Sequence, residues 1–210
     1  MELKKRLVTS FFLILLMLLC YTNKFFLFVI LNFVVFLSFY EFYKINKKIT
    51  KNINYQISIF SIILIYILFF YTTIIFNIVT KSDSNFLFYL IILCIASDAG
   101  GYIFGNLFKG KKLTKISPNK TYSGLIGSYV LSSLVFLYFY HQFKFSFGLL
   151  IFTYLISSVS QIGDLFISYL KRKAKVKNTG NLLPGHGGIL DRIDGMIFAI
   201  PFGINLLFIF

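Results

Sequence analysis

The feature that most limits what this chain can become is a succession of apolar runs long enough to cross a lipid bilayer. A span needs about 20 predominantly apolar residues. Seven such runs fall near residues 7 to 22, 25 to 40, 57 to 79, 86 to 108, 124 to 140, 146 to 168 and 189 to 210. In hydrocarbon every backbone polar group must be satisfied within its own segment, so each run is expected to be a helix. Composition excludes the alternative of a water-soluble globule, because 58% of the residues are hydrophobic and only 13% are charged. A soluble chain carries about a quarter charged residues, which cover its core. The expected fold is therefore an all-α integral membrane protein, a polytopic bundle of about seven transmembrane helices. The first run opens with Lys4, Lys5 and Arg6 like a secretory signal. No small-residue cleavage site follows Cys20, so it is expected to persist as the first helix.

The net charge of +14 would suggest nucleic acid in a soluble protein, but its distribution argues against such a partner. Seventeen of the 21 Lys and Arg lie at the N-terminus or in alternate connections: Lys44 to Lys51, Lys109 to Lys120, and Lys171 to Lys177. The other connections hold only Lys24, Lys81 and Lys144. Basic residues resist translocation, so the rich side is expected to be cytoplasmic, with the N-terminus inside and the C-terminus outside. The two Cys, Cys20 and Cys94, sit inside apolar runs with no Cys-His cluster, which argues against disulfides and zinc sites.

Seven acids are few enough to place one by one. Glu2, Glu41 and Asp83 are assigned to loops or their edges, where solvation is their whole role. Asp98, Asp164, Asp191 and Asp194 fall at membrane depth or at helix ends. A carboxylate there costs about 2.5 to 3.5 kcal/mol, so it needs a partner or a watery cavity. Helical spacing gives each a polar face. Cys94, Asp98, Gly101 and Gly105 line one side of the fourth run, which reads either as a functional face or as a close helix-packing face. Ser157, Gln161, Asp164, Ser168 and Lys171 form a polar stripe on the sixth, and Asp191 and Asp194, three apart, share a side of the seventh.

The connection after the sixth run carries the densest chemistry. Gly185, Gly187 and Gly188 allow a tight turn whose N–H groups can approach a phosphate at the start of the last helix. Lys171, Arg172 and Lys177 can neutralise polyphosphate. Asp191 and Asp194 are hard oxygen ligands suited to Mg²⁺. His186, flanked by these glycines, is a candidate hydrogen-bonding group.

These residues resemble the C-terminal signature of phosphatidate cytidylyltransferases (CDP-diacylglycerol synthases). The family pattern is matched by Ser168, Lys171, Arg172, Lys177, Pro184, His186, Gly187, Gly188, Asp191, Arg192 and Asp194. The similarity extends upstream through Gly163 to Phe166, through Ser97 to Gly105, and through Lys115 to Thr121, so it covers roughly residues 90 to 200. The resemblance implies a membrane nucleotidyltransferase that joins CTP and phosphatidate into CDP-diacylglycerol and pyrophosphate. It implies a Mg²⁺ centre, with or without a monovalent cation beside it, for which Asp164 and Asp191 are the first candidate ligands and Asp194 and Asp98 the second. Lys171, Arg172, Lys177 and Lys120 would hold phosphates, with Gly187, Gly188 and Arg192 also on the substrate side, while Ser168 and His186 would position substrate by hydrogen bonds. The catalytic group is thus expected to be Asp164, Asp191, Asp194 and His186.

The implied setting is the inner (cell) membrane, multi-pass, with the active site facing the cytoplasm. The lipid bilayer is a partner, nucleic acid is not, and a homodimer is compatible. The chain would divide into reduced N-terminal helices, 1–84, and a catalytic region, 85–210, with cytoplasmic loops 109–123 and 169–188. Two positions depart from the family pattern. Asn178 stands where Asp is usual, and Ser123 where an acid is usual. The alternatives are a CTP-dependent lipid kinase, a cytidylyltransferase for another lipid phosphate, or, from a different class, a membrane transporter.

Overall fold

The computed structural model describes residues 2–80, 84–114, 116–143, 147–182 and 187–207. Eight helices follow one another among them: α1 (Glu2–Thr22), α2 (Lys24–Ile49), α3 (Ile53–Val79), α4 (Ser84–Phe108), α5 (Tyr122–Phe143), α6 (Phe147–Lys173), α7 (Leu190–Ile193) and α8 (Met196–Leu207). Five of them, α2 to α6, are long and apolar enough to span a bilayer, and Val8–Thr22 and Met196–Leu206 are shorter apolar helices. The protein is an all-α polytopic membrane protein. Two boundaries differ from the sequence reading. The second span continues well past residue 40, to Ile49. The seventh is broken at Asp194 and Gly195 into the single turn of α7 and the twelve residues of α8.

The chain forms two compact units, Met1–Ser84 with Leu170–Asp194, and Asn85–Tyr169 with Gly195–Phe210. The segment 170–194 thus groups with the N-terminal helices. In the first unit, α2 packs against α1, α3 and α7. Its helices start where asparagines supply the orphan N–H groups with an acceptor. Asn23 Oδ1 accepts from Phe25 N at 2.9 Å to open α2, and Asn52 Oδ1 accepts from Asn54 N at 3.1 Å to open α3. Buried Asn46 ties the two together by donating to the Gln56 carbonyl at 2.8 Å. The last turn of α6 ends in a Schellman arrangement, with Val176 N donating to Lys171 O and Lys175 N to Arg172 O, both at 3.0 Å. Lys175 takes the left-handed position, φ 56°, that glycine usually fills.

In the second unit α4, α5, α6 and α8 meet through small and hydroxylated residues, as helices in lipid commonly do. A Cβ on Gly124 would lie 2.6 Å from the Gly101 carbonyl oxygen, and one on Gly101 3.1 Å from Ser128 Oγ. The glycine face of α4 is therefore a packing face against α5. Buried hydroxyl pairs join α4 to α6, Tyr89 with Thr153 at 2.6 Å and Ser97 with Ser157 at 2.8 Å. At the start of α8, Gly195 leaves no room for a side chain, since a Cβ would sit 2.8 Å from the Ser160 carbonyl oxygen.

Candidate active site

Among the described residues, each unit holds a carboxylate paired with a lysine, and the two pairs are built differently. In the second unit the connection from α4 to α5 folds back on itself. Leu113 N donates to Lys120 O at 2.8 Å, Tyr122 N to Lys111 O at 3.0 Å, and Lys112 pairs antiparallel with Thr121. This turn carries Lys120 to α6, where its Nζ lies 2.5 Å from Asp164 Oδ2 and donates to the Gln161 carbonyl at 3.4 Å. Ser168, one helical turn on, donates to Asp164 Oδ1 at 3.3 Å. Farther along the same stripe Gln161 Nε2 donates to Ser157 Oγ at 3.4 Å. Lys120 and Asp164 keep about a quarter of their side-chain surface in the open, 25% and 23%. An ion pair open to solvent to this degree contributes modestly to stability. Asp98 lies exposed on α4, while Cys94 one turn before it is buried.

In the first unit, Asp191 sits on the one-turn helix α7 with 8% of its side chain exposed, and its two oxygens have separate tasks. Oδ1 holds the Lys171 ammonium at 2.8 Å. Oδ2 accepts from Thr179 N at 2.8 Å and from Gly188 N at 3.0 Å, with Thr179 Oγ1 also 3.0 Å away. The backbone bonds fix the carboxylate plane and aim Oδ1 at a cation, which is how neighbouring groups orient an ionic ligand. Lys171 is 9% exposed, so the structure gives it to Asp191. Gly187 takes a left-handed φ of 86°, and a Cβ there would lie 2.9 Å from Asp191 Oδ2 and 3.4 Å from Asn178 Cγ. Asn178 thus flanks the same turn.

Behind this turn stands a residue that the sequence reading misplaces. Glu41 lies inside α2 and is 2% exposed, not solvated in a loop. Its Oε2 lies 2.7 Å from Thr179 Oγ1 and accepts from Leu190 N at 2.9 Å, and its Oε1 accepts from Ile189 N at 3.0 Å. The one available signal is an acid embedded in the apolar and aromatic sequence Phe36 to Phe42, which in a membrane helix marks a carboxylate with a task.

The remaining predicted site residues are distributed as follows. Arg172 is exposed and donates to the Val176 carbonyl at 3.4 Å. Lys177 and Arg192 are exposed, and Asp194 is buried. His186 lies outside the described residues, as do Pro184 and Gly185. Ser123, at the second departure, stands 2.9 Å from Thr121 Oγ1 and accepts from Gly110 N at 3.3 Å, a turn-closing role.

Among the described residues no three His, Cys, Asp or Glu side chains gather as a ready metal cage. The donor chemistry nevertheless fits a divalent cation. Asp164 and Asp191 are hard oxygen donors, and each already carries a cationic ammonium, at 2.5 and 2.8 Å.

Five helices long and apolar enough to span a bilayer, with a carboxylate–lysine pair in each unit, define the class as a polytopic membrane protein. The comparisons with known proteins specify it further. The sequence model of the cytidylyltransferase family matches residues 3–210, and the chain belongs to that family. Similar proteins include the phosphatidate cytidylyltransferase of Rickettsia typhi, 40% identical over 141 residues, covering 60% of this chain and 62% of that protein. Those of Staphylococcus haemolyticus and Helicobacter pylori are each 42% identical, over 135 and 125 residues. The Staphylococcus match covers 62% of this chain and 52% of that protein, and the Helicobacter match covers 58% of this chain and 46% of that protein. The chain spans less than two thirds of the length of the curated relatives it matches.

Proposed function

We propose that the chain joins CTP to phosphatidate at the cytoplasmic face of the cell membrane, giving CDP-diacylglycerol and pyrophosphate. One observation carries this reading. The family match runs through both lysine-bearing connections and both paired carboxylates, and similar proteins bear the name phosphatidate cytidylyltransferase. The distribution of basic residues supports the orientation, because Lys and Arg resist translocation and both connections are rich in them.

The reaction needs no protein nucleophile. A phosphate oxygen of phosphatidate attacks the α-phosphorus of CTP, a new P–O bond forms, and the bond to the β-phosphate breaks with its electron pair leaving on pyrophosphate. The task for the protein is to bring two anions together and neutralise the leaving group. Lys120, Lys171, Arg172 and Lys177 are proposed to hold phosphates, with Ser168, His186, Arg192 and the N–H groups of Gly187 and Gly188 as further contacts. Magnesium binding is proposed at Asp164 and at Asp191, with Asp194 and Asp98 as secondary carboxylates. The ion, when bound, would neutralise phosphate charge. When Asp164 takes up a divalent cation, Lys120 is released for phosphate, so the partly open Lys120–Asp164 pair is a resting arrangement of the same groups.

The test is incubation of purified protein with cytosine-labelled CTP, phosphatidate and Mg²⁺. Label is expected in a lipid-soluble product, and its absence from that fraction refutes the reading.

A further inference from the structure

We infer that Glu41 is a positioning residue for nucleotide binding, holding from α2 the turn on which Asp191 and the glycines stand. The inference rests on the proposed nucleotidyl transfer and goes beyond it, since α2 lies outside the signature that carries the resemblance.

The geometry is that of a built receptor. Three donors from two separate stretches of the turn converge on the Glu41 carboxylate: the Thr179 hydroxyl at 2.7 Å, Leu190 N at 2.9 Å and Ile189 N at 3.0 Å. The first stretch also supplies Asp191 with Thr179 N, and the second leads directly into Asp191. Glu41 therefore sets the spacing between the two strands of chain that hold the Asp191 carboxylate. Two glycines fit around it: a Cβ on Gly180 or Gly188 would overlap the Glu41 carboxylate, the latter lying 2.6 Å from Oε1. With Glu41 2% exposed, water cannot replace it as acceptor for the N–H groups of Ile189 and Leu190. The absence of a side chain at Gly188 also leaves its N–H on Asp191, at 3.0 Å, so the turn, Asp191 and Glu41 form one connected network.

Glutamine at this position would keep the shape but turn one acceptor oxygen into an NH₂ group facing a donor. A positioning role and a merely structural one then separate in the kinetics. Loss of positioning misplaces the phosphate-binding groups in every molecule, so the half-saturating CTP concentration rises. Loss of folded protein lowers the apparent kcat and leaves both KM values where they were.

The experiment measures kcat and both KM values for the full-length protein, Glu41→Gln and Thr179→Val, together with binding of labelled CTP without lipid. We expect Glu41→Gln to raise the KM and Kd for CTP roughly tenfold, the effect of one misplaced charge-assisted hydrogen bond, with the KM for phosphatidate unchanged. Thr179→Val, which removes one donor and preserves side-chain volume, is expected to shift CTP in the same direction by about threefold. Unchanged CTP parameters in either variant, or a fall in kcat alone, overturn the inference. A parent protein that forms no cytidine lipid refutes the proposed function instead, and the two failures are distinguished by that control.

Discussion

Two carboxylate–lysine pairs, one in each unit, look alike in a contact diagram and differ in construction. Lys120 reaches Asp164 at a site where both side chains keep about a quarter of their surface exposed, and the Ser168 hydroxyl one turn away on the same helix donates to the same carboxylate. Asp191 is closed in, with Lys171 on one oxygen and backbone N–H groups on the other, and Glu41 supports the turn from behind. An exposed pair can open at little cost, while a buried one cannot lose a member without leaving an uncompensated charge. The first is thus suited to exchange, and the second fixes a piece of backbone as well as a charge.

The largest effect that could break this comparison is on stability. Asp191→Ala strands Lys171 in a buried position and removes the acceptor for Thr179 N and Gly188 N, so it is expected to cost about 3 kcal/mol or more. Asp164→Ala should cost less than about 1 kcal/mol. Both should abolish turnover. Denaturation of the two variants in the same detergent checks the contrast, and equal losses would erase the distinction between the two pairs.

A smaller change tests the closed pair alone. Gly188→Ala puts a methyl group onto Thr179 and the Glu41 carboxylate, and overpacking of this kind costs about 1 to 3 kcal/mol. Nucleotide binding should weaken with it, read as a higher half-saturating CTP concentration. The corresponding glycines of the other unit, such as Gly101, should affect stability through α4–α5 packing and leave the CTP dependence alone.

The smallest effect has the opposite sign. Lys175 occupies a left-handed backbone position at the end of α6, so Lys175→Gly should relieve roughly 1 kcal/mol of strain, less the entropy glycine adds to the unfolded chain. A slightly raised thermal midpoint with unchanged activity is the expected result.

What could be read in the sequence follows from how local the responsible physics is. Apolar runs, asparagine caps and the i, i+4, i+7 stripe from Ser157 to Lys171 depend on neighbours within a few turns, and they are visible in the order of residues. Glu41 is different, because its partners Thr179, Ile189 and Leu190 lie 138 to 149 positions away. Drawing the second span to end at residue 40 placed Glu41 in water, whereas α2 runs on to Ile49 and buries it. The break at Gly195 is equally non-local, since it depends on the closeness of Ser160 on α6. The glycine face of α4 allowed two readings in sequence, and its contact with α5 selects packing for Gly101.

Each lysine-paired carboxylate is proposed to be needed for cytidylyl transfer, and that need is open to measurement. It is tested most directly by giving the purified protein phosphatidate, Mg²⁺ and CTP labelled either at the α- or at the γ-phosphate, alongside Asp164→Asn and Asp191→Asn. The parent is expected to move the α-label into lipid and to release the γ-label as pyrophosphate, and both variants are expected to move neither. Lipid carrying the γ-label would indicate a kinase, and undiminished α-label transfer by either variant would contradict the role assigned to its carboxylate.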